Sequence, residues 1–168
     1  LQIVVHHVIP HSKVSNVATG PRGVENARRM AAAAATELGT SADHVLVSST
    51  GVIGVPLPIE KIERGVVGMS AELQGDPMVG AEGIMTTDTH PKALSASVGN
   101  ATITWVAKGS GMIEPNMATM LSYIFTDAAF DAPTLDRLLR AAVAPSFNSL
   151  SVDTDTSTSD TCAILANG

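Results

Sequence analysis

Residues 23–38 read GVENARRMAAAAATEL and are followed by Gly39; this stretch decides the fold class. Alanine, leucine, glutamate, arginine and methionine are strong helix formers. A glycine directly behind them stands where a left-handed residue ends a helix. The alanines also leave a face on which a neighbour can pack closely. Outward in both directions the pattern changes. Residues 44–47 (HVLV) are short and apolar, as a strand is, and break into the polar, glycine-bearing turn Ser48-Ser49-Thr50-Gly51-Val52-Ile53-Gly54. Residues 2–9 (QIVVHHVI) form another Val- and Ile-rich run, closed by Pro10, which predicts a buried strand. Strand, helix and strand in succession predict a mixed α/β fold.

The rest of the chain continues the alternation. Residues 58–69 predict a helix with Pro58 in its first turn and Ile59, Ile62 and Val66 on one apolar face. Residues 101–106 alternate as a strand after a Gly99-Asn100 turn, and residues 120–125 (MLSYIF) are another apolar run. Residues 133–143 place Leu135, Leu138, Leu139, Ala142 and Val143 at helical spacing. There is no internal repeat and no long linker.

Composition narrows the function classes. The chain of 168 residues is 45% hydrophobic and 15% charged, the profile of one globular domain or a piece of one. A net charge of −6, with no run of basic residues, argues against nucleic acid and against an anionic membrane as partners. Cys162 is the only cysteine, so an internal disulfide is excluded and a reducing, cytoplasmic compartment fits. No apolar run has the length of a membrane span, and the front lacks both a leader pattern and a Met start, so we expect a cytoplasmic protein trimmed at its front. No metal site is expected. Adjacent His6 and His7 point to opposite faces of a strand, with His11 beyond the proline. Residues 152–161 (VDTDTSTSDT) lack the central glycine and late glutamate of a calcium loop. That run predicts a solvated loop whose short side chains bond local backbone.

The chemistry lies in residues 108–119, KGSGMIEPNMAT. A phosphate-binding loop is excluded by order, because its lysine follows the glycines and Lys108 precedes them. Taken alone, the stretch reads as a tight loop between strands.

Residues 108–121 (KGSGMIEPNMATML) resemble the processing-site signature of the ornithine acetyltransferase family, the glutamate N-acetyltransferases of the cyclic arginine pathway. Residues 49–54 (STGVIG), 85–92 (MTTDTHPK) and 153–161 (DTDTSTSDT) resemble the same family in the same order. The resemblance implies an α/β (α+β) fold, a layered sandwich of sheets and helices. It implies self-cleavage between Ala118 and Thr119, so that residues 1–118 belong to an α-chain portion and residues 119–168 begin a β-chain portion. Thr119 would then carry a free α-amine beside its own hydroxyl, which supplies a general base to an otherwise weak nucleophile. The resemblance further implies an oxyanion hole from the Thr50 hydroxyl and the Gly51 N–H, and substrate contacts from Thr89, Lys108 and Thr119. The implied reaction moves acetyl from N-acetylornithine to glutamate through an acetyl-threonine, with ping-pong kinetics, no cofactor and two copies of each chain.

Plain readings stand beside these. Thr50-Gly51 can be an ordinary strand-end turn, Lys108 a solvated surface lysine, and Thr86, Thr87 and Thr89 capping or turn residues. Self-processing amidohydrolases or aminopeptidases, in which water takes the acyl group, are the second enzymatic reading. An inactive homologue acting as a subunit or binding module is the third. Family members are considerably longer. The glutamate and carboxyl-terminal polar residues that complete their site have no counterpart in this chain, and residues 10–14 (PHSKV) replace the usual Asn-rich strand exit.

Overall fold

The computed structural model describes residues 5–114 and 120–168. The chain forms two compact units, Leu1–Asp76 and Pro77–Gly168. Both mix helices with sheet, as the sequence pattern predicts.

In the first unit the order is β1 (His7–His11), α1 (Gly20–Leu38), β2 (Val45–Ser49) and α2 (Ile59–Val66). β1 and β2 are parallel, His7 opposite Val45 and His11 opposite Ser49. Parallel neighbours need a crossover, and α1 supplies it. Gly39 ends α1 at φ 66°, its N–H donating to the Ala35 carbonyl, as the glycine position predicts. The other end differs: α1 starts at Gly20, three residues before the expected Gly23, because Pro21 is tolerated in a first turn. Ile9, Met30, Ala34, Ala35, Val45 and Ile59 form the core, with Ala34 fully buried. The short alanine side chains let α1 approach its neighbours closely. Arg29 adds a bidentate pair with Glu63 on α2, at 2.8 and 2.6 Å.

Two elements differ from the sequence pattern. Pro10 lies inside β1, opposite Ser48, and does not close the strand. Among the described residues β1 pairs with β2 alone, and such an edge strand tolerates a residue that cannot donate. The predicted helix 58–69 stops at Val66, and a separate 3-10 turn at Met69–Glu72 follows Gly68, whose φ is 82°.

The second unit contains α3 (Pro77–Gly83), β3 (Lys92–Val98), β4 (Ala101–Lys108), β5 (Leu121–Thr126), α4 (Ala132–Val143) and β6 (Thr161–Ala166). Its sheet runs β3-β4-β5-β6. The first two pairings are antiparallel and the last is parallel, with Leu121 opposite Thr161. Gly99 and Asn100 make the two-residue turn of the β3-β4 hairpin, Gly99 at φ 61°. β4 and β5 lie on either side of residues 115–119, so the strands that flank the expected cleavage position are neighbours in one sheet.

Asp131 caps α4: its carboxylate accepts from the Thr134 N–H at 2.7 Å. Asp131→Ala is expected to cost about 1 kcal/mol. In a thermal melt that is a fall of roughly 2–4 °C, and Asp131→Ser should restore most of it.

Candidate active site

Lys108 ends β4 and is 2% exposed, so it is no solvated surface lysine. Burial pulls its pKa down, while Asp88 and Asp160 oppose that shift and Lys92 adds to it. Neither carboxylate is spare. Asp88 accepts from Lys92 Nζ at 2.7 Å, from the Gly109 N–H at 2.8 Å and from the Thr86 N–H at 3.3 Å. Its carboxyl pKa is accordingly lowered, although burial works the other way. Asp160 accepts from the Met120 N–H at 2.7 Å, and burial raises its pKa against that bond and against Lys108.

Around Lys108 lies a cavity of about 280 Å³ whose lining includes Trp105, Ser110, Ile113, Met120 and Phe147. Its wall is fixed from the sheet: the Trp105 indole N–H donates to Ser122 Oγ at 2.7 Å, and the Trp105 ring lies 6.1 Å from that of Phe147. A buried lysine beside a largely apolar cavity favours a small ligand with one carboxylate, since burial strips water from the ammonium.

The 86–90 turn is tied to this site through Asp88. Thr87 Oγ1 lies 2.8 Å from Ser110 Oγ, and the Gly109 N–H bond joins the turn to the exit of β4. Thr89 is exposed, with Oγ1 3.0 Å from His90 Nδ1. Asp88, Asp153 and Asp160 organise the second unit, and none of them was singled out from sequence. The available sign was position alone: each sits inside a stretch that carries the family resemblance.

In the first unit the chain leaves β2 through Thr50, which is 2% exposed. The turn is more than a strand end, because pairing continues past it: Thr50 N–H donates to the His11 carbonyl at 2.9 Å and Val52 N–H to the Lys13 carbonyl at 3.0 Å. Gly51 has φ +124°, and a Cβ there would stand 2.3 Å from the carbonyl carbon and oxygen of Lys13. Both conformation and contact demand glycine. Gly51→Ala should therefore destabilise the folded protein by at least about 2 kcal/mol, read as a lower midpoint in urea unfolding.

Ala118 and Thr119 lie outside the described residues. The described neighbours on either side are Glu114 and Met120, and Met120 shares the cavity with Lys108.

The sequence matches the ArgJ family over residues 2–168. It is 51% identical over 162 residues to the arginine biosynthesis bifunctional protein ArgJ 2 of Nostoc sp., covering 96% of this chain and 42% of that protein. To the arginine biosynthesis bifunctional protein ArgJ of Thermotoga neapolitana it is 49% identical over 168 residues, 98% of this chain and 42% of the relative. Among solved structures it is similar to the ornithine acetyltransferase of Mycobacterium tuberculosis complexed with ornithine, at TM-score 0.57 and 37% identity over 65% of this chain and 61% of that one. The bifunctional protein argJ of Bacillus halodurans aligns at TM-score 0.50 and 32% identity, over 68% and 61% of the two chains. The chain thus spans 42% of the length of these two full-length relatives.

Proposed function

The chain belongs to the ArgJ family, and from that premise we propose that the protein transfers an acetyl group from N-acetylornithine to glutamate through an acetyl ester on Thr119. The ester becomes possible once the Ala118–Thr119 bond is cut. Before cleavage the Thr119 nitrogen is a non-basic amide. Afterwards it is an α-amine that titrates within about one unit of neutral pH and can take the proton of its own hydroxyl.

The reaction then runs in two halves. Thr119 Oγ attacks the acetyl carbonyl, its proton passes to the α-amine, and the oxyanion is met by the Thr50 hydroxyl and the Gly51 N–H. The C–N bond breaks, ornithine leaves with that proton, and the acetyl group stays on Oγ. In the second half the glutamate amine attacks the ester carbonyl and gives a proton to the α-amine, the acetyl C–O bond breaks, Thr119 Oγ takes that proton back, and N-acetylglutamate departs. Lys108 faces the α-carboxylate that donor and acceptor share, and Thr89 completes the substrate contacts once its hydroxyl turns from His90.

The observation that carries this reading is Lys108: a buried cation on a cavity that also reaches Met120, the residue next to the nucleophile. The pairing of β4 with β5 supports the two products of cleavage staying together, and we extend this to an assembly with two copies of each in the cytoplasm. Among the described residues no helix is long and apolar enough to cross a membrane.

Labelled acetyl on N-acetylornithine provides the test. Label recovered on glutamate supports transfer, and label recovered as free acetate in the presence of glutamate points instead to an amidohydrolase. No release of label, unchanged in Thr119→Ala, leaves an inactive homologue.

A further inference from the structure

We propose that Asp153 and Asp160 are positioning residues for self-cleavage, holding the two flanks of the segment that carries the Ala118–Thr119 bond. The inference rests on the cleavage stated under the proposed function and deepens it.

Residues 152–160 form the exposed loop their composition suggests, with a local bond from the Ser159 N–H to Ser157 Oγ, but two of its carboxylates do more. They fasten to backbone about forty positions upstream. Asp153 uses both carboxylate oxygens on consecutive amides, Oδ2 accepting from the Met112 N–H at 2.7 Å and Oδ1 from the Ile113 N–H at 2.8 Å. The Val152 N–H returns a bond to the Ile113 carbonyl at 2.7 Å, and Ser151 Oγ donates to Glu114 Oε2 at 2.7 Å. The downstream flank is held by the same run. Asp160 Oδ1 accepts from the Met120 N–H at 2.7 Å, and the Thr161 N–H donates to the Met120 carbonyl at 3.0 Å.

The upstream grip is shaped for its purpose. A Cβ on Gly111 would stand 3.3 Å from Asp153 Oδ2, so the glycine leaves room for the carboxylate to reach the following amides. Met112, gripped by that carboxylate, has φ 54°, a conformation few residues adopt without support. Bonds from a carboxylate to N–H groups are charge-assisted and short, and suit such an anchor.

Cleavage by a neighbouring hydroxyl requires Oγ to be set against the carbonyl carbon of the preceding residue. Fixing both ends of the intervening chain removes conformations in which the two atoms are apart, and so raises their effective concentration. Each carboxylate therefore acts through the backbone it holds, without touching the bond that breaks.

The full-length chain made by cell-free synthesis allows cleavage to be followed by the appearance of its two products. Asp153→Ala and Asp160→Ala are each expected to slow it by at least about tenfold. Asp160→Asn retains an acceptor for the Met120 N–H and should recover most of the rate. Melting temperatures, measured with each substitution placed in the uncleavable Thr119→Ala chain, should fall by only a few degrees, with the cooperative transition retained. Wild-type rates in both alanine variants would overturn the proposal. So would an Asp160→Asn chain as slow as Asp160→Ala, or slowing matched by loss of the melting transition. A wild-type chain that stays whole, or a Thr119→Ala chain that is cut, would remove the underlying cleavage itself.

Discussion

Thr119→Ala is expected to lose both activities together: the chain stays in one piece, and acetyl transfer falls to background. The two losses have one cause, since the hydroxyl that attacks the Ala118 carbonyl during processing is the hydroxyl that later accepts acetyl. Removing a covalent nucleophile typically costs on the order of 10⁴-fold or more in rate, a larger effect than that of any supporting group. Thr119→Ser separates the stages, because it keeps an oxygen nucleophile and, once cut, an α-amine. It should still process and still transfer, more slowly in each. Time courses of product appearance and label transfer on the same preparations check both. Transfer at wild-type rate by an uncut Thr119→Ala chain would show that the acetyl group never visits this residue.

The second large effect belongs to Lys108. Lys108→Met keeps much of the volume in a buried position and removes the charge, so the fold should survive while the substrate carboxylate loses its partner. Losing one member of a buried charge pair costs about 2–5 kcal/mol. This corresponds to roughly a 30- to 4000-fold fall in kcat/KM. Lys108→Arg should recover only part of it, because the wider guanidinium must enter the space of one ammonium. The pH profile carries a further signature. Burial lowers the Lys108 pKa, and binding needs the charged form, so kcat/KM should fall as pH rises through that lowered value, below the range of an ordinary lysine. The limb should move to higher pH in Lys108→Arg. A Lys108→Met enzyme with unchanged kcat/KM for N-acetylornithine would detach the lysine from the substrate.

What the sequence made legible were the features encoded locally. Gly39 ends α1 where a left-handed residue is needed, Gly99-Asn100 turns the β3-β4 hairpin, and Ile59 and Val66 mark the buried face of α2. What stayed hidden depends on partners distant in sequence. β3 alternates Leu94, Ala96 and Val98 with Ser95 and Ser97, but it is short, its middle residues are small, and Leu94 and Val98 are each 62% exposed, so no core face announces it. β6 is a strand because β5 stands beside it, a parallel pairing separated by the whole of α4. Pro10 reads as a stop locally, since nothing nearby in sequence indicates that, among the described residues, β1 pairs with β2 alone.

The site divides in the same way. Family resemblance picked out Lys108, but its burial follows from the sheet, and the identity of a residue does not disclose its exposure. The composition of residues 152–161 predicts bonds to their own backbone. Ser157 does accept from the Ser159 N–H, but Asp153 and Asp160 also reach to Ile113 and Met120, contacts that no local pattern contains. Gly51 shows the reverse limit. Its letter suggested a turn, while the nearby Lys13 carbonyl explains why no larger residue fits.

Intact mass of the full-length protein, purified beside Thr119→Ala, decides whether the chain makes its own nucleophile. Two products are expected from the first, the second beginning at Thr119, and a single chain from the variant. A single uncut chain from both would contradict this expectation, leaving the family relationship without the self-made nucleophile.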